Sequence, residues 1–151
     1  MSQELNIVIK AQKYVEQLLK EKLAVDLYYH NYPHTERVVK AAEEIGKHSD
    51  LGEEDFEILL LAAWFHDTGF VNDYHNHEEE SQKIAKAFLK EEGFPEDKIE
   101  KVNTSILATR RDQFPSNQIE KILCDADLSH IGSEDYLKVA DGLRREWEIY
   151  F

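Results

Sequence analysis

Apolar residues recur along this chain at intervals of three and four positions, which is the spacing of one buried face of an α-helix. The first such stripe covers residues 4–21 and is formed by Leu5, Val8, Ile9, Val15, Leu18 and Leu19. No segment shows the strict apolar–polar alternation that is typical of a β-strand. The pattern therefore predicts an all-α chain.

Helix start and stop signals divide the rest of the sequence into further helices. Pro33 suits the first turn of a helix over about 33–48. Gly69 is the predicted stop of a helix over about 53–67, which begins with acidic residues as the helix dipole favours. The remaining helices are predicted over about 77–92, 95–111, 117–129 and from 133 onward. We therefore expect six or seven helices in one bundle, a single domain over residues 1–151.

The later helices carry their own end signals. Gly93 is the predicted stop of the helix over 77–92, whereas Asn117 and Ser133 are predicted N-caps. Three apolar residues of the last helix are predicted to face inward, namely Tyr136, Leu137 and Leu143. The last aromatic residues would pack either on the core or on a second copy of the chain, namely Trp147, Tyr150 and Phe151. A homo-oligomer is therefore one expectation.

Composition and charge restrict the function classes. No apolar stretch approaches the roughly 20 residues that a membrane helix needs, so no membrane association is expected. Cys124 is the single cysteine, which excludes an internal disulfide framework and fits a reducing cytoplasm. The net charge of −13 argues against a nucleic-acid polymer, because such binding rests on neutralising phosphates with Lys and Arg. A small phosphorylated ligand is compatible with this charge where a metal or a few cations are concentrated.

The stretch LAAWFHDTGF, residues 61–70, raises a question about charge. An apolar run suited to the core stops on His66 and Asp67. Burying an ionised carboxylate without a partner costs several kcal/mol. A helix-terminal ion pair between the two residues is one solution, and a bound cation is the other.

Two further residues favour the cation. His34 lies in the first turn of the helix over about 33–48, and Asp127 lies near the end of the apolar run in ILCDADLSHIG. Two imidazoles and two carboxylates from three helix ends form a donor set suited to a divalent metal ion. Because the set contains no thiolate, it favours Mn, Fe, Zn, Co, Ni or Mg over a soft metal.

The order and surroundings of these residues resemble those of the HD superfamily of metal-dependent phosphohydrolases. The resemblance rests on HTERVVKAA, LAAWFHDTG, HEEESQKIA and DADL, which occur in this order within about residues 30–145. It implies an all-α domain of the HD type. It also implies that the metal ligands are His34, His66, Asp67 and Asp127.

Two details of the site depend on that resemblance. The family pattern selects Asp127 over Asp125, whose role would then be structural or supporting. Binuclear members add two histidines, of which the first matches His77, whereas the place of the second, LATRRDQF, holds no histidine. We therefore expect one tightly bound metal, with a second bound weakly or only together with substrate. His77 has an alternative role as a helix cap or a phosphate ligand.

The resemblance implies hydrolysis of a phosphoester or phosphoanhydride. A divalent metal lowers the pKa of its bound water from about 16 to about 7 and neutralises phosphoryl oxygens. Asp67 would orient the attacking water or bridge to a second ion. Glu78 is a candidate proton shuttle, and its alternative role is that of a solvated acid in a first helical turn. The expected substrate is a small phosphorylated molecule of nucleotide size.

Positive charge for a phosphate has few sources in so acidic a chain. Arg37 lies three residues after His34, on the same helix face. Arg110 and Arg111 occupy the stretch where the second histidine is missing. An arginine fork matches phosphate oxygens better than a lysine does. The alternative for each arginine is a surface salt bridge with one of the 31 acidic residues.

The remaining histidines receive no assigned chemistry. His30 and His48 are interpreted as helix-edge residues, His75 as part of a polar loop that could form a lid, and His130 as a neighbour of the metal site. Three tyrosines before the first metal histidine are interpreted as core packing rather than as a base-stacking wall, namely Tyr28, Tyr29 and Tyr32.

Two other function classes stay open. A nucleotide-binding sensor or regulatory module would keep the site and turn over slowly or not at all. An iron oxygenase is the second alternative, because some proteins of this fold resemble phosphohydrolases yet use paired irons with oxygen. The missing second histidine counts against the oxygenase. Metal analysis followed by phosphate release across a nucleotide panel separates the three classes.

Overall fold

The computed structural model describes residues 3–110, 112–129 and 136–151, and the side chains of all these except 3–6, 136 and 139. Over these ranges the chain is all-α, as the sequence predicts, and contains no strand. A short 3-10 turn covers Thr68–Val71, and the α-helices are α1 (Gln3–Lys22), α2 (Tyr32–Lys47), α3 (Glu53–Phe65), α4 (His77–Glu91), α5 (Glu96–Leu107), α6 (Gln118–Asp127) and α7 (Tyr136–Tyr150). None of these helices is long and apolar enough to cross a membrane.

Helix α3 lies at the centre of the bundle because its C-terminal two-thirds are apolar on nearly every side. All its residues from Glu57 to Phe65 are buried, and it packs against α1, α2, α4, α5 and α6. Leu59, Leu61 and Phe65 have no exposed surface. The residues that follow Phe65 are therefore delivered into the interior of the protein.

The predicted end signals of three helices are confirmed. Pro33 lies in the first turn of α2. The side chain of Asn117 accepts a hydrogen bond of 2.9 Å from the Glu120 backbone N–H at the start of α6. Gly93, with φ of 77°, follows the C-cap of α4, where the Phe94 backbone N–H bonds to the carbonyl of Leu89 over 2.9 Å. The predicted cap at Ser133 lies outside the described residues.

Gly69 has a different role from the one predicted. Helix α3 ends at Phe65 rather than 67, and Gly69 lies in the 3-10 turn without a positive φ. A Cβ placed on Gly69 would lie 1.9 Å from the backbone oxygen of His77. The missing side chain therefore lets the first turn of α4 approach the turn after α3.

Two predictions about the later helices are wrong. Helix α5 ends at Leu107 instead of about 111. Leu137 does not face inward, since 81% of its surface is exposed. Leu143 is half-buried, and the side chain of Tyr136 lies outside the described part of the chain.

Candidate metal centre

Four side chains that are distant in sequence meet at one point, and we refer to them as the metal cluster. Each offers one nitrogen or oxygen atom, and these atoms all lie within 4.8 Å of one another. His34 comes from the first turn of α2, His66 and Asp67 follow α3 directly, and Asp127 is the last residue of α6. The structure thus brings together the four residues named from the sequence as metal ligands.

The contacts inside the metal cluster connect each imidazole with both carboxylates. The Nε2 atom of His34 lies 3.2 Å from Oδ1 of Asp127 and 3.3 Å from Oδ2 of Asp67. The Nε2 atom of His66 lies 3.2 Å from Oδ2 of Asp67 and 3.4 Å from Oδ1 of Asp127. Both nitrogens and both oxygens therefore face one shared point.

The end of α3 makes this convergence possible. Adjacent residues of a continuous helix point about 100° apart. His66 still has helical angles, with φ −59° and ψ −28°, whereas Asp67 has left the helix with φ −112° and ψ 6°. The chain opens at this residue, and the two neighbouring side chains reach the same point.

Two atoms of the metal cluster are buried without a hydrogen-bond partner. His66 uses its Nδ1–H to donate to the carbonyl oxygen of Ala63 over 2.7 Å, which leaves Nε2 to carry the lone pair in the neutral ring. This Nε2 and Oδ2 of Asp67 have no surface exposure and no hydrogen bond. A lone pair facing a carboxylate oxygen is repulsive unless a cation lies between them, so the donor set fits a metal ion.

The electrostatics of the metal cluster also indicate that a cation fits between its side chains. Burial by itself lowers the pKa of His66 and His34, but the neighbouring carboxylates outweigh burial and raise the pKa of both imidazoles. Burial by itself raises the pKa of Asp67 and Asp127, and the two imidazoles hold it below its usual range. The two carboxylates therefore favour positive charge at the shared point, and a divalent ion bound there would supply it.

His77 and Glu78 lie beside the metal cluster at the start of α4. The Nε2 atom of His77 lies 3.5 Å from Oδ1 of Asp67 and 3.3 Å from Oε2 of Glu78. Burial, partly opposed by these two acids, lowers the pKa of His77. The Glu78 side chain is only 14% exposed, so it faces the site rather than solvent.

Hydrogen bonds fix α4 against the turn that carries the His66-Asp67 doublet. The hydroxyl of Ser81 accepts from the Gly69 backbone N–H over 2.8 Å and donates to the carbonyl of His66 over 2.9 Å. Ser81 is fully buried. The position of His77 relative to Asp67 therefore depends on Ser81 and on the close approach at Gly69.

The structure distinguishes the candidate phosphate-binding arginines. Arg37, on α2, forms no ion pair among the described residues, and its buried Nε has no partner. Arg110 pairs with Asp112 over 3.2 Å and with Glu79 over 3.5 Å. Arg111 lies outside the described residues.

A cavity of about 340 Å³ opens next to His77. Its wall combines aromatic, basic and acidic side chains: His30, Phe70, Tyr74, His75, His77, Glu78, Arg110, Asp112, Trp147 and Phe151. Because His77 contacts both this cavity and Asp67, the cavity lies beside the metal cluster.

Asp125 and the tyrosines lie outside the metal cluster. Asp125 is exposed on α6, in contrast to Asp127. Tyr29 is buried, with its ring 4.5 Å from that of His34, and Tyr32 stacks on Trp64 at 6.1 Å. The buried position of Tyr29 and the stacking of Tyr32 agree with core packing. Tyr28 is 40% exposed beneath Arg145.

Sequence reasoning missed two residues at this site. His30 was interpreted as a helix-edge residue, but it lines the cavity. Glu146 received no interpretation, although its side chain has no exposed surface and contacts His30. No sequence signal marks Glu146, because it lies in the charged run RREWE. Of the other histidines, His48 is exposed and His75 lines the cavity. His130 lies outside the described residues.

Comparisons with known proteins agree with this geometry. The family model of the HD domain matches residues 31–132. The fold is similar to a solved structure described as a predicted HD superfamily hydrolase from an uncultured Thermotogales bacterium, with a TM-score of 0.70 and 23% sequence identity. The similarity covers 91% of this chain and 84% of that one. No protein of curated function matches the chain.

Proposed function

Because the chain belongs to the HD domain family, we propose that it is a metal-dependent phosphohydrolase acting on a small phosphorylated substrate of the nucleotide class. The observation that carries the proposal is the metal cluster, in which His34, His66, Asp67 and Asp127 offer four ligand atoms within 4.8 Å of one another. These four residues would hold the ion. A divalent ion bound there supplies a water of pKa about 7 and neutralises phosphoryl oxygens.

The reaction is the hydrolysis of a phosphoester or phosphoanhydride. The oxygen of a water forms a bond to phosphorus, the bond between phosphorus and the leaving oxygen breaks, and a proton ends on that leaving oxygen. Glu78 is suited to move this proton, because it lines the cavity and is only 14% exposed. Its position 3.3 Å from Nε2 of His77 keeps its carboxylate at the mouth of the metal cluster.

Asp67 is suited to orient the water, because its two oxygens serve different sides of the site. Oδ2 lies within the metal cluster, 3.2 Å from Nε2 of His66, and Oδ1 lies 3.5 Å from Nε2 of His77. A carboxylate shared in this way can hold an ion with one oxygen and accept a hydrogen bond with the other.

The cavity supports a nucleotide as the substrate class. Trp147 and Phe151 are 40% and 80% exposed at its wall, and aromatic faces of this kind stack on nucleobases. Arg110 lies on the same wall, and a guanidinium matches phosphate oxygens. The volume of about 340 Å³ lies within the range of small-molecule sites.

The test is turnover by protein of defined metal content. Chelator-treated protein is reloaded separately with Mn²⁺, Co²⁺, Zn²⁺, Ni²⁺, Fe²⁺ or Mg²⁺, and release of phosphate and pyrophosphate is measured across nucleoside mono-, di- and triphosphates and cyclic nucleotides. We expect metal-dependent release that falls at least about 100-fold in Asp127→Asn.

The matched control is Asp125→Asn, which removes an exposed carboxylate two residues away on the same helix. It should turn over like the wild type. Equal activity in the two variants would exclude the metal cluster as the reaction centre. Tight nucleotide binding without release would identify a sensor module instead, and oxygen uptake with two irons per chain would identify an oxygenase.

A further inference from the structure

We propose that His30 is a substrate-contacting residue of this site and that Glu146 is the residue that positions its imidazole. The inference rests on the proposed function and assigns it a phosphate-binding group outside the metal cluster. His30 comes from the loop before α2, and Glu146 comes from α7, 116 positions later in the sequence. The two side chains meet at the wall of the cavity.

Glu146 is a buried carboxylate surrounded by donors. It is 0% exposed. Its Oε2 accepts from the backbone N–H of Tyr29 over 2.7 Å and from that of His30 over 2.8 Å, and its Oε1 accepts from the hydroxyl of Tyr74 over 2.8 Å. The imidazole of His30 provides a further donor to Oε1. Such a carboxylate fixes the backbone and the ring of His30 together.

The same contacts keep Glu146 ionised. Burial by itself raises the pKa of this carboxyl group, but the hydrogen bond and charge of His30 and the two backbone donors lower it below its ordinary value of 4.5. Because a carboxylate only accepts hydrogen bonds, the proton of this contact lies on Nδ1 of His30. The ring orientation and the bonded nitrogen are thereby both defined.

The other ring nitrogen of His30 is available to a ligand. Nε2 forms no hydrogen bond within the described part of the chain, the side chain is 18% exposed, and the residue lines the cavity. Packing also holds the ring, which stacks on Phe70 with centroids 4.3 Å apart. An oriented imidazole with one free nitrogen at a cavity wall is suited to bind a polar ligand.

The position of His30 selects a phosphoryl group as that ligand. Its ring centroid lies 5.8 Å from that of His34 and 6.2 Å from that of His77. A substrate that reaches the metal cluster through the cavity therefore passes the free nitrogen. A phosphoryl oxygen at this nitrogen would form a hydrogen bond with it while Nδ1 keeps its bond to Glu146, so the ring would link the buried carboxylate to the substrate.

Two substitutions of His30 separate a substrate contact from a structural role. In His30→Asn the amide nitrogen replaces Nδ1 and keeps the bond to Glu146, but nothing replaces Nε2. In His30→Gln the amide nitrogen reaches the place of Nε2, and the bond to Glu146 is lost. A substrate contact predicts that phosphate affinity decreases in the order wild type, Gln, Asn. A structural role predicts that thermal stability and affinity both decrease in the order wild type, Asn, Gln.

The measurement is pyrophosphate binding to Mn²⁺-loaded full-length protein by calorimetry, with metal content by elemental analysis and thermal unfolding in parallel. We expect His30→Asn to weaken pyrophosphate binding about 10- to 100-fold while metal content and melting temperature stay at the wild-type values. His48→Asn is the matched control, because His48 is exposed and pairs with Glu44 alone among the described residues. It should change the affinity less than about twofold.

Glu146→Gln tests the positioning role. Alone, it should weaken pyrophosphate binding about 5- to 10-fold, and in the His30→Asn background it should have almost no further effect, because it acts through the ring that is already absent. Additive effects of the two substitutions would exclude Glu146 as a positioning residue.

The outcomes separate this inference from the proposed function. Wild-type affinity in His30→Asn overturns the role of His30 whether or not the protein hydrolyses nucleotides. Binding that depends on His30, without turnover of any nucleotide, supports the contact and overturns the hydrolase. Absence of pyrophosphate binding by the metal-loaded wild type overturns the role of His30, whereas the hydrolase is decided by turnover of the nucleotide panel.

Discussion

In the metal cluster every side chain comes from the first turn or last residue of a helix or from the two residues after a helix, whereas the wall of the neighbouring cavity also includes loops, the 3-10 turn and the last helix. Three of the four residues of the metal cluster are buried, with His34 2%, His66 0% and Asp67 6% exposed. The cavity is open, and Phe151 at its wall is 80% exposed. A buried cluster of charges needs a compensating ion, whereas the side chains of an open wall are hydrated before a ligand binds.

This difference in exposure suggests separate roles for the two regions. Under the proposed function, the metal cluster would fix where the reaction occurs, because its side chains are held by the core around α3. The wall would then select the substrate, through side chains such as Arg110 and Trp147 that water reaches. Substitutions in the metal cluster should therefore remove the ion and the reaction together, and substitutions in the wall should change substrate affinity alone.

The largest effect is expected from His66→Ala. This change removes a buried ligand nitrogen, so we expect metal content to fall from about one ion per chain to nearly none and turnover to fall at least about 1,000-fold. Elemental analysis and phosphate release measure the two quantities. His48→Ala is the control on an exposed histidine, and retention of the ion in His66→Ala would remove the distinction between the two regions.

Gly69→Ala should have the next largest effect, because it acts where the two regions join. Its Cβ would lie 1.9 Å from the backbone oxygen of His77, and backbone cannot rotate away. We expect a loss of about 3 kcal/mol in the free energy of unfolding, measured by urea denaturation. Gly52→Ala, where a Cβ meets nothing within 4 Å, should cost less than about 1 kcal/mol. Equal stabilities would contradict the close packing of α4 on the turn.

Arg37→Ala and Arg110→Ala compare one arginine on the helix of His34 with one on the cavity wall. Each should raise the KM for a phosphate substrate about tenfold, since each removes a charge suited to phosphoryl oxygens, and metal content should not change. Steady-state kinetics and elemental analysis test this. Unchanged kinetics in both variants would exclude arginine from substrate binding.

The smallest effect is a pH dependence at the wall. The folded protein lowers the pKa of Glu146 below its ordinary value of 4.5, so its ionised form stabilises the fold above that value, and this contribution is lost as pH falls through the lowered pKa. The wild type should therefore melt about 2–4 °C above Glu146→Gln at pH 7, and the difference should shrink below pH 4.5. Glu148→Gln, at an exposed position, should show no such trend. A difference in melting temperature that is independent of pH would mean that the hydrogen-bond donors do not stabilise the ionised form of Glu146.

Much of the fold follows from local patterns. Some signals depend only on residues that are close in sequence, and the sequence therefore predicts them. Examples are the apolar run of α3, the cap at Asn117 and the stop at Gly93. Gly69 shows the limit of this reading, because its role depends on the backbone of His77 from another helix. Leu137 shows it again, since its helical spacing predicts burial but 81% of its surface is exposed.

The sequence by itself determined that this chain is helical and which imidazoles and carboxylates form the cluster that could hold a metal ion, because apolar periodicity and the HD motif are properties of residue order. Only the tertiary structure showed that Glu146 is a buried anchor for His30, and it placed Asp127, which the resemblance had already selected over Asp125, against His34. The physical reason is that burial and convergence depend on how helices pack. A charged residue in a charged run gives no sign of the donors that will surround it.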